Sequence, residues 1–264
     1  MLTQDSSLKT QDFLMNLAII ILAAGKGTRM QSDLAKVLHP LCDKPLIEWV
    51  LDATQALQPQ RTVVIVGHQG EAVETAVRAR FAGTEFATQP EMLGTGHAVQ
   101  QAEALLKDFD GDTLVVSGDV PLVTSDTLRH LVSRRQEQNA AASMLVAEVA
   151  DPAAYGRVLC EPDGRVTRIV EAKDASPEIK AIKHVNAGTY CFDGTALWEQ
   201  LGRVTNQNKS GEYYLTDVIG LLTGAGQRVD AVFVSPREMT GINTRAELAE
   251  LEAQLRQEGV CHDA

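Results

Sequence analysis

Short apolar runs alternate with longer amphipathic stretches along this chain, and no other feature constrains its fold as much. The pattern predicts strands over 17–22, 62–66, 113–117, 142–149, 188–192 and 229–234, and helices over 44–57, 70–80, 95–107, 125–138, 194–201, 214–223 and 244–257. A brief apolar run without polar alternation is what a strand buried on both faces requires. Strands that take turns with helices build βαβ units, so the expectation is an α/β fold with a mostly parallel central sheet and helices on both faces. The pattern breaks between 150 and 187, where "DPAAYGRVLCEPDGRVTRIVEAKD" reads as a hairpin turning at Pro162, Asp163 and Gly164. That segment is expected as a small β-rich insertion serving as a lid or substrate subdomain. The 264 residues are enough for one such domain with a sizeable core, expected over 17–257 behind a loose tail at 1–16. The run from Phe13 to Ala24 has the length of a secretory signal's apolar region and is too short to span a membrane. A buried strand is the preferred reading, because cleavage after Ala24 would sever the run from the glycine loop it positions.

Charge and cysteine usage narrow the function. With 24 Lys and Arg against 35 Asp and Glu, the formal net charge is −11, which argues against a broad nucleic-acid-binding surface. Any anionic ligand must then be held by a few local donors. Cys42, Cys160, Cys191 and Cys261 show no paired spacing. This argues against a zinc site or a disulfide framework and predicts reduced, mostly buried thiols in a cytoplasmic protein.

In an open parallel sheet, ligands collect at the carboxyl ends of the strands. The first predicted strand runs straight into Ala23, Ala24, Gly25, Lys26, Gly27, Thr28 and Arg29. Glycines let a backbone approach a phosphate closely, and Arg29 with Lys36 can neutralise its charge. Met30 stands where a dinucleotide fingerprint needs its third glycine, and a Walker loop needs a glycine five residues before its lysine. On this loop alone, a plain βα turn and phosphate binding are equally open. "VVSGDVPL" puts Asp119 at another strand's carboxyl end, a position suited to a magnesium ligand or to an ordinary turn residue. "QPEMLGTGHAV" adds a glycine turn at a helix start with Thr95 as its expected cap.

Taken together, "LAAGKGTRM", Lys36 in "DLAKVLHPL", "QPEMLGTGHA", "SGDVPL", "YGRV", "IVEAKDA", "VNAGTY", "NKSGEYYLTDVI" and "GINTR" resemble one family. It is the uridylyltransferase domain of the bacterial bifunctional UDP-N-acetylglucosamine pyrophosphorylase and glucosamine-1-phosphate acetyltransferase. The likeness covers roughly 17–257 in the same order. It implies a three-layer, Rossmann-like nucleotidyltransferase fold and a cytoplasmic enzyme that joins UTP to N-acetylglucosamine 1-phosphate with Mg2+ as cofactor. It further implies that Arg29 and Lys36 hold the triphosphate and that the backbone from Ala23 through Ala24 and Gly25 to Gly27 shapes the cradle. By the same likeness Gln89, Gly94 and Thr95 recognise uracil, Gly156, Glu171 and Asn186 contact the amino sugar, and Asp119 with Asn243 coordinates the metal.

The sequence departs from that family at Ala187, where a hydroxyl residue is usual, at Ala172, where many relatives have histidine, and at Ser117, where an aromatic is common. Such changes bear on which sugar phosphate is preferred. No hexapeptide repeat of the kind that forms the family's left-handed β-helix follows, so neither acetyl transfer nor β-helix trimerisation is expected, and the oligomeric state stays open. Two other readings stand beside the leading one: another sugar phosphate or nucleotide on the same fold, and a non-catalytic sugar-nucleotide-binding module. Neither a nucleic-acid partner nor a membrane is expected.

Overall fold

The computed structural model describes residues 16–261, so the expected tail lies outside the described residues except for Asn16. The strands are β1 (Leu17–Leu22), β2 (Pro40–Leu41), β3 (Lys44–Pro45), β4 (Arg61–Val66), β5 (Glu85–Thr88), β6 (Asp112–Ser117), β7 (Ala142–Glu148), β8 (Arg157–Cys160), β9 (Val166–Val170), β10 (His184–Asp193) and β11 (Val229–Val234). The helices are α1 (Leu46–Gln55), α2 (Gly70–Arg80), α3 (Thr95–Gln100), α4 (Glu103–Leu106), α5 (Ser125–Glu137), α6 (Pro177–Lys180), α7 (Gly194–Leu201), α8 (Thr216–Gly224) and α9 (Arg245–Gln257). The central sheet runs β11-β7-β10-β6-β1-β4-β5, with the β8–β9 hairpin joined to it through β10. Strands β6, β1, β4 and β5 are mutually parallel, as are β7 and β11, while β10 runs antiparallel between the two groups.

The three layers follow from β1. Successive side chains of a strand point to opposite faces, and the uninterrupted LAIIIL segment is buried on both. Leu17, Ile19 and Ile21 enter one core with Ile47 and Leu51 of α1, Val73 and Val77 of α2, and Leu128 and Leu131 of α5. Ala18 and Ile20 enter the other with Val99 of α3, Leu197 of α7, and Val218 and Ile219 of α8. Each fully buried isoleucine contributes about 2 kcal/mol by area. A run apolar at every position therefore fits only the middle of a sandwich.

Several boundaries differ from expectation. β10 begins at His184 rather than 188, because the register shifts between Asn186 and Tyr190 and Gly188 takes φ 72. This bulge interrupts the apolar pattern that marks a strand. The helix expected over 95–107 breaks at Gln101 and Ala102 into α3 and α4, and the one expected over 44–57 begins only at Leu46, after Lys44 and Pro45 have paired in β3. β5 was not expected; the four residues between α2 and β5 and the half-exposed EFAT segment itself lack a continuous apolar run.

The cysteine expectation is overturned at one pair. Cys42 and Cys261 form a disulfide with their Cα atoms 5.3 Å apart, while Cys160 and Cys191 are free thiols. Spacing could not reveal a pair separated by 219 residues, because only tertiary folding makes them neighbours. Cys42 lies in the two-residue turn of the β2–β3 ribbon, where Cys42 (φ 51) and Asp43 (φ 61) are both left-handed. Cys261 follows α9, whose Leu251 and Leu255 pack on Leu41, Leu46 and Ile242 in a third core. The final helix thus packs on this domain. Burial pushes the Cys160 thiol up to about 11 and that of Cys191 well above the usual range, so neither is readily ionised at neutral pH. Titration of the denatured, unreduced protein should therefore find two free thiols. Reduction should lower Tm by about 5–15 °C, from a typical disulfide contribution of about 2–4 kcal/mol; four free thiols before reduction would refute the pairing.

Candidate active site

Parallel pairing places the carboxyl ends of β1, β4, β5 and β6 on one edge of the sheet. Ala23, Gly67, Gln89 and Gly118 follow those strands directly. Backbone bonds level them: Ala23 N donates to Ile65 O (2.9 Å), Gly118 N to Leu22 O (2.9 Å) and Gln89 N to Val66 O (2.8 Å). β7 and β11 run in the same direction as β6, since both are reversed relative to β10. The segment after β11 therefore reaches the same edge and supplies Asn243. A cleft of about 180 Å3 opens there among Ala23, Ala24, Gly25, Lys36, Gln89 and Asp119.

Its charged floor is one junction. The Lys36 ammonium forms an ion pair with Asp119 Oδ2 and donates to Asn243 Oδ1 at 2.8 Å. Arg29 Nη2 donates to the same Asn243 oxygen at 2.9 Å. The backbone reinforces this meeting, since Ile242 N donates to Asp119 O at 2.9 Å. Gly27 is required for it: its φ is 58, and a Cβ there would lie 2.6 Å from Lys36 Cβ. At Gly25 a Cβ would meet nothing within 4 Å, so the cleft above that backbone is open to a close approach. Asn243 is not a helix cap; Thr244 caps α9 in a capping box with Glu247, whose Oε2 also accepts from Asn243 N at 2.6 Å.

Gln89 is buried behind the cleft, and its Nε2 donates to Gly94 O (3.0 Å) and lies 3.1 Å from His97 Nδ1. Thr95 is not the cap of α3: Gly94 holds that position at φ 108, and Thr95 Oγ1 accepts from Leu215 N at 3.1 Å. Tyr213 N donates to Leu93 O (2.7 Å) and Gly96 N to Tyr213 O (2.8 Å), which seats the GEYYLTD segment against the LGTG turn. One residue on from Leu215, Thr216 donates its hydroxyl to Glu171 Oε1 at 2.9 Å.

Glu171 and Gly156 face each other, since a Cβ at Gly156 would stand 3.4 Å from both Glu171 oxygens. Asn186 N donates to Gly156 O (2.9 Å), Asn186 Nδ2 to Tyr190 OH (2.6 Å), and Asn186 Oδ1 accepts from Gly188 N (3.0 Å). Burial raises the Glu171 pKa, and the charges of Asp217, Asp174 and Glu212 add to that rise against the Thr216 hydrogen bond. The expected residues thus fall into two groups, the cleft and the Gly156–Glu171–Asn186 cluster, bridged by residues 213–216.

Residues 18–236 match the family model described as nucleotidyl transferase. The chain belongs to that family. It is 48% identical over 237 residues to the bifunctional protein GlmU of Lactobacillus delbrueckii subsp. bulgaricus, covering 89% of this chain and 51% of that protein. Against GlmU of Shouchella clausii it is 48% identical over 238 residues (90% and 52%), and against GlmU of Geobacter metallireducens 46% over 246 residues (92% and 51%). The chain spans about half the length of these curated relatives. Among solved structures, UDP-glucose pyrophosphorylase in complex with UDP-glucose superposes with a TM-score of 0.76 at 20% identity, covering 92% of this chain and 100% of that one. At that identity the likeness establishes the fold, a mixed α/β architecture with a mostly parallel sheet.

The nucleotidyltransferase carries a larger concavity of about 660 Å3 between β9 and the end of α8, lined by Glu161, Arg165, Arg168 and Arg228, where Arg165 and Arg228 lie beside Asp163 and Asp230. The charge-bearing chemistry converges on the smaller cleft. His97, Tyr213 and Thr216 are contacts that the sequence reading did not assign; the GEYYLTD segment was the signal that pointed to two of them. Among the described residues, no helix is long and apolar enough to cross a membrane. Gly94→Ala should test the seating of residues 213–216, because the added Cβ would meet Tyr213 O at 2.6 Å from a left-handed φ. A loss of about 2–3 kcal/mol in denaturant unfolding is expected, and wild-type stability would show that the contact yields.

Proposed function

We propose that this nucleotidyltransferase makes UDP-N-acetylglucosamine and pyrophosphate from UTP and N-acetylglucosamine 1-phosphate. The observation that carries the reading is the junction of Arg29, Lys36, Asp119 and Asn243 at the mouth of the glycine loop. The obstacle in this reaction is electrostatic, since two like charges 4 Å apart repel by about 4 kcal/mol at an effective dielectric near 20. Arg29 and Lys36 supply two cations where a triphosphate would lie, and the open backbone at Gly25 allows its oxygens to approach amide groups. No base is required: a phosphate monoester has a second pKa of about 6 and arrives largely ionised. Its oxygen forms a bond to the α-phosphorus as the bond to the β-phosphate oxygen breaks, and pyrophosphate leaves with that electron pair.

The Asp119 carboxylate and Asn243 amide oxygen already converge on one cation, the Lys36 ammonium. Two hard oxygens with room for water suit Mg2+, which would be held by Asp119 and Asn243. When bound, magnesium neutralises phosphate charge. Gln89 lines the cleft and its amide is bonded to Gly94, the neighbour of Thr95, so a base edge could exchange hydrogen bonds with the Gln89 amide beside that turn. Glu171, Asn186 and the Gly156 backbone offer acceptors and a donor for sugar hydroxyl and acetamido groups. Glycine at 156 leaves open the space that a Cβ would take up, 3.4 Å from both Glu171 oxygens. Ala187 brings no hydroxyl to this cluster, which favours testing other sugar phosphates beside the amino sugar.

Pyrophosphate release is therefore expected with UTP and N-acetylglucosamine 1-phosphate, and its loss is expected in EDTA. Turnover confined to another pair in a matrix of nucleotides and sugar phosphates would move the substrate, and silence throughout from folded protein would sink the enzyme reading. Asp119→Ala should lower kcat at least about 100-fold with the fold intact by circular dichroism; near-normal turnover removes Asp119 from the site. Arg29→Lys should lower kcat/KM about tenfold or more, because a point charge replaces a planar fork. Unchanged steady-state constants would count against a bidentate role for Arg29.

A further inference from the structure

The proposed reaction makes a demand on the loop that carries Arg29. In the free protein, Asn243 Oδ1 ties down both Arg29 and Lys36. Phosphate oxygens compete for those same cations, so this tie weakens when the nucleotide arrives. A second tie joins the same two segments and uses no group that the nucleotide needs. Arg245, at the first position of α9, donates from Nε to Met30 O at 3.0 Å and from Nη2 to Gln31 O at 3.2 Å.

Those two carbonyls close the three-residue 3-10 turn Thr28–Met30, which bears Arg29. The turn lies between two left-handed residues, Gly27 (φ 58) and Gln31 (φ 47), and its own bonds are only Met30 N to Gly27 O (2.8 Å) and Gln31 N to Thr28 O (3.2 Å). A non-glycine residue such as Gln31 persists in that conformation when its surroundings hold it there. The holder is itself fixed: Thr244 and Glu247 lock the start of α9 in a reciprocal capping box. A planar guanidinium can address two successive carbonyls at once, whereas an ammonium reaches them as a point donor.

We infer that Arg245 is a positioning residue: it clamps the Thr28–Gln31 turn to the start of α9 and keeps Arg29 aimed into the cleft when Asn243 releases it. The catalytic consequence rests on the role proposed above for Arg29; the clamp itself does not. Arg245 therefore links the metal-side segment to the phosphate loop across 214 residues of sequence without touching substrate.

Two measurements test this. Hydrogen exchange in the free protein needs no substrate: in Arg245→Ala the Met30 and Gln31 amides should exchange about tenfold faster while the amides of α9 and β1 keep wild-type rates. Unchanged exchange at residues 30 and 31 overturns the clamp, as does equal acceleration throughout α9, which marks a general structural loss. In steady state, Arg245→Ala should raise KM for UTP and lower kcat, each by about tenfold, with KM for N-acetylglucosamine 1-phosphate within about twofold of wild type. Arg245→Lys should recover part of that loss. Wild-type constants in Arg245→Ala, or equal changes for both substrates, overturn the positioning role. If the wild-type chain turns over a different nucleotide and sugar phosphate, the same split is expected with that pair. A wild type silent with every pair sinks the catalytic reading and the positioning role with it, leaving the exchange result to judge the clamp alone.

Discussion

Parallel hydrogen bonding of β1 to β4 and β6 is the constraint on which the rest of this structure depends. Leu22 is in register with both Ile65 and Ser117, so the chain leaves three neighbouring strands at one level. Reversing any one of these strands would carry its following loop to the opposite edge, about 20 Å away for a strand of six residues. Antiparallel β10 obeys the same geometry from its other end, since Asn186 lies near its start. The β-rich insertion is attached there through the single Val185–Arg157 pairing, which brings Gly156 to that edge. The insertion thus extends that edge and also bridges to β11 between Arg165 and Asp230.

Charge is organised locally on this acidic chain. The cations at the cleft meet on two oxygens, Asp119 Oδ2 and Asn243 Oδ1, and the segment carrying Asn243 is hydrogen-bonded to the backbone of Asp119. The neighbouring Glu171 cluster has the opposite character. Its carboxylate is half-buried, and desolvation, with Asp217, Asp174 and Glu212, disfavours its ionisation, so Glu171 is held nearer to neutrality than an exposed glutamate. Residues 213–216 run between these two environments, with backbone bonds on the LGTG side and the Thr216 hydroxyl on the Glu171 side. A single continuous segment therefore registers the two halves of the site against each other.

The final helix belongs to this same frame. Its start holds Asn243 and Arg245 against the glycine loop and the turn that follows it, and its far end is fixed to the β2–β3 ribbon by Leu251, Leu255 and the Cys42–Cys261 link. The ribbon follows Lys36 by only a few residues. Each end of α9 is thus anchored separately, the start on the turn that carries Arg29 and the far end on the ribbon that follows Lys36, an arrangement that the helix's amphipathic pattern alone did not disclose.

The uninterrupted LAIIIL run was legible in sequence as a doubly buried strand, because no polar residue allowed a wet face, and the glycine loop after it was legible as a turn at a strand's carboxyl end, where the loop alone left phosphate binding and a plain turn equally open. Alternating strands and helices sufficed for the α/β class, and the hairpin around Gly164 was marked by its turn residues. The strand start at His184 was hidden by a bulge, and β5 by its half-exposed, short segment. At the candidate site, the positions of residues 23–27 and of Asp119 just after strands were legible, and the structure brings them to one cleft. The structure drew Thr95 away from its expected capping role, paired Cys42 with Cys261, and revealed Arg245 on the turn that carries Arg29. Local pattern determined the elements because burial and turn chemistry act over a few residues. Only tertiary structure decided which distant residues share a hydrogen bond or a disulfide, because those contacts span about 120 to 219 positions and exist only once the sheet order is set.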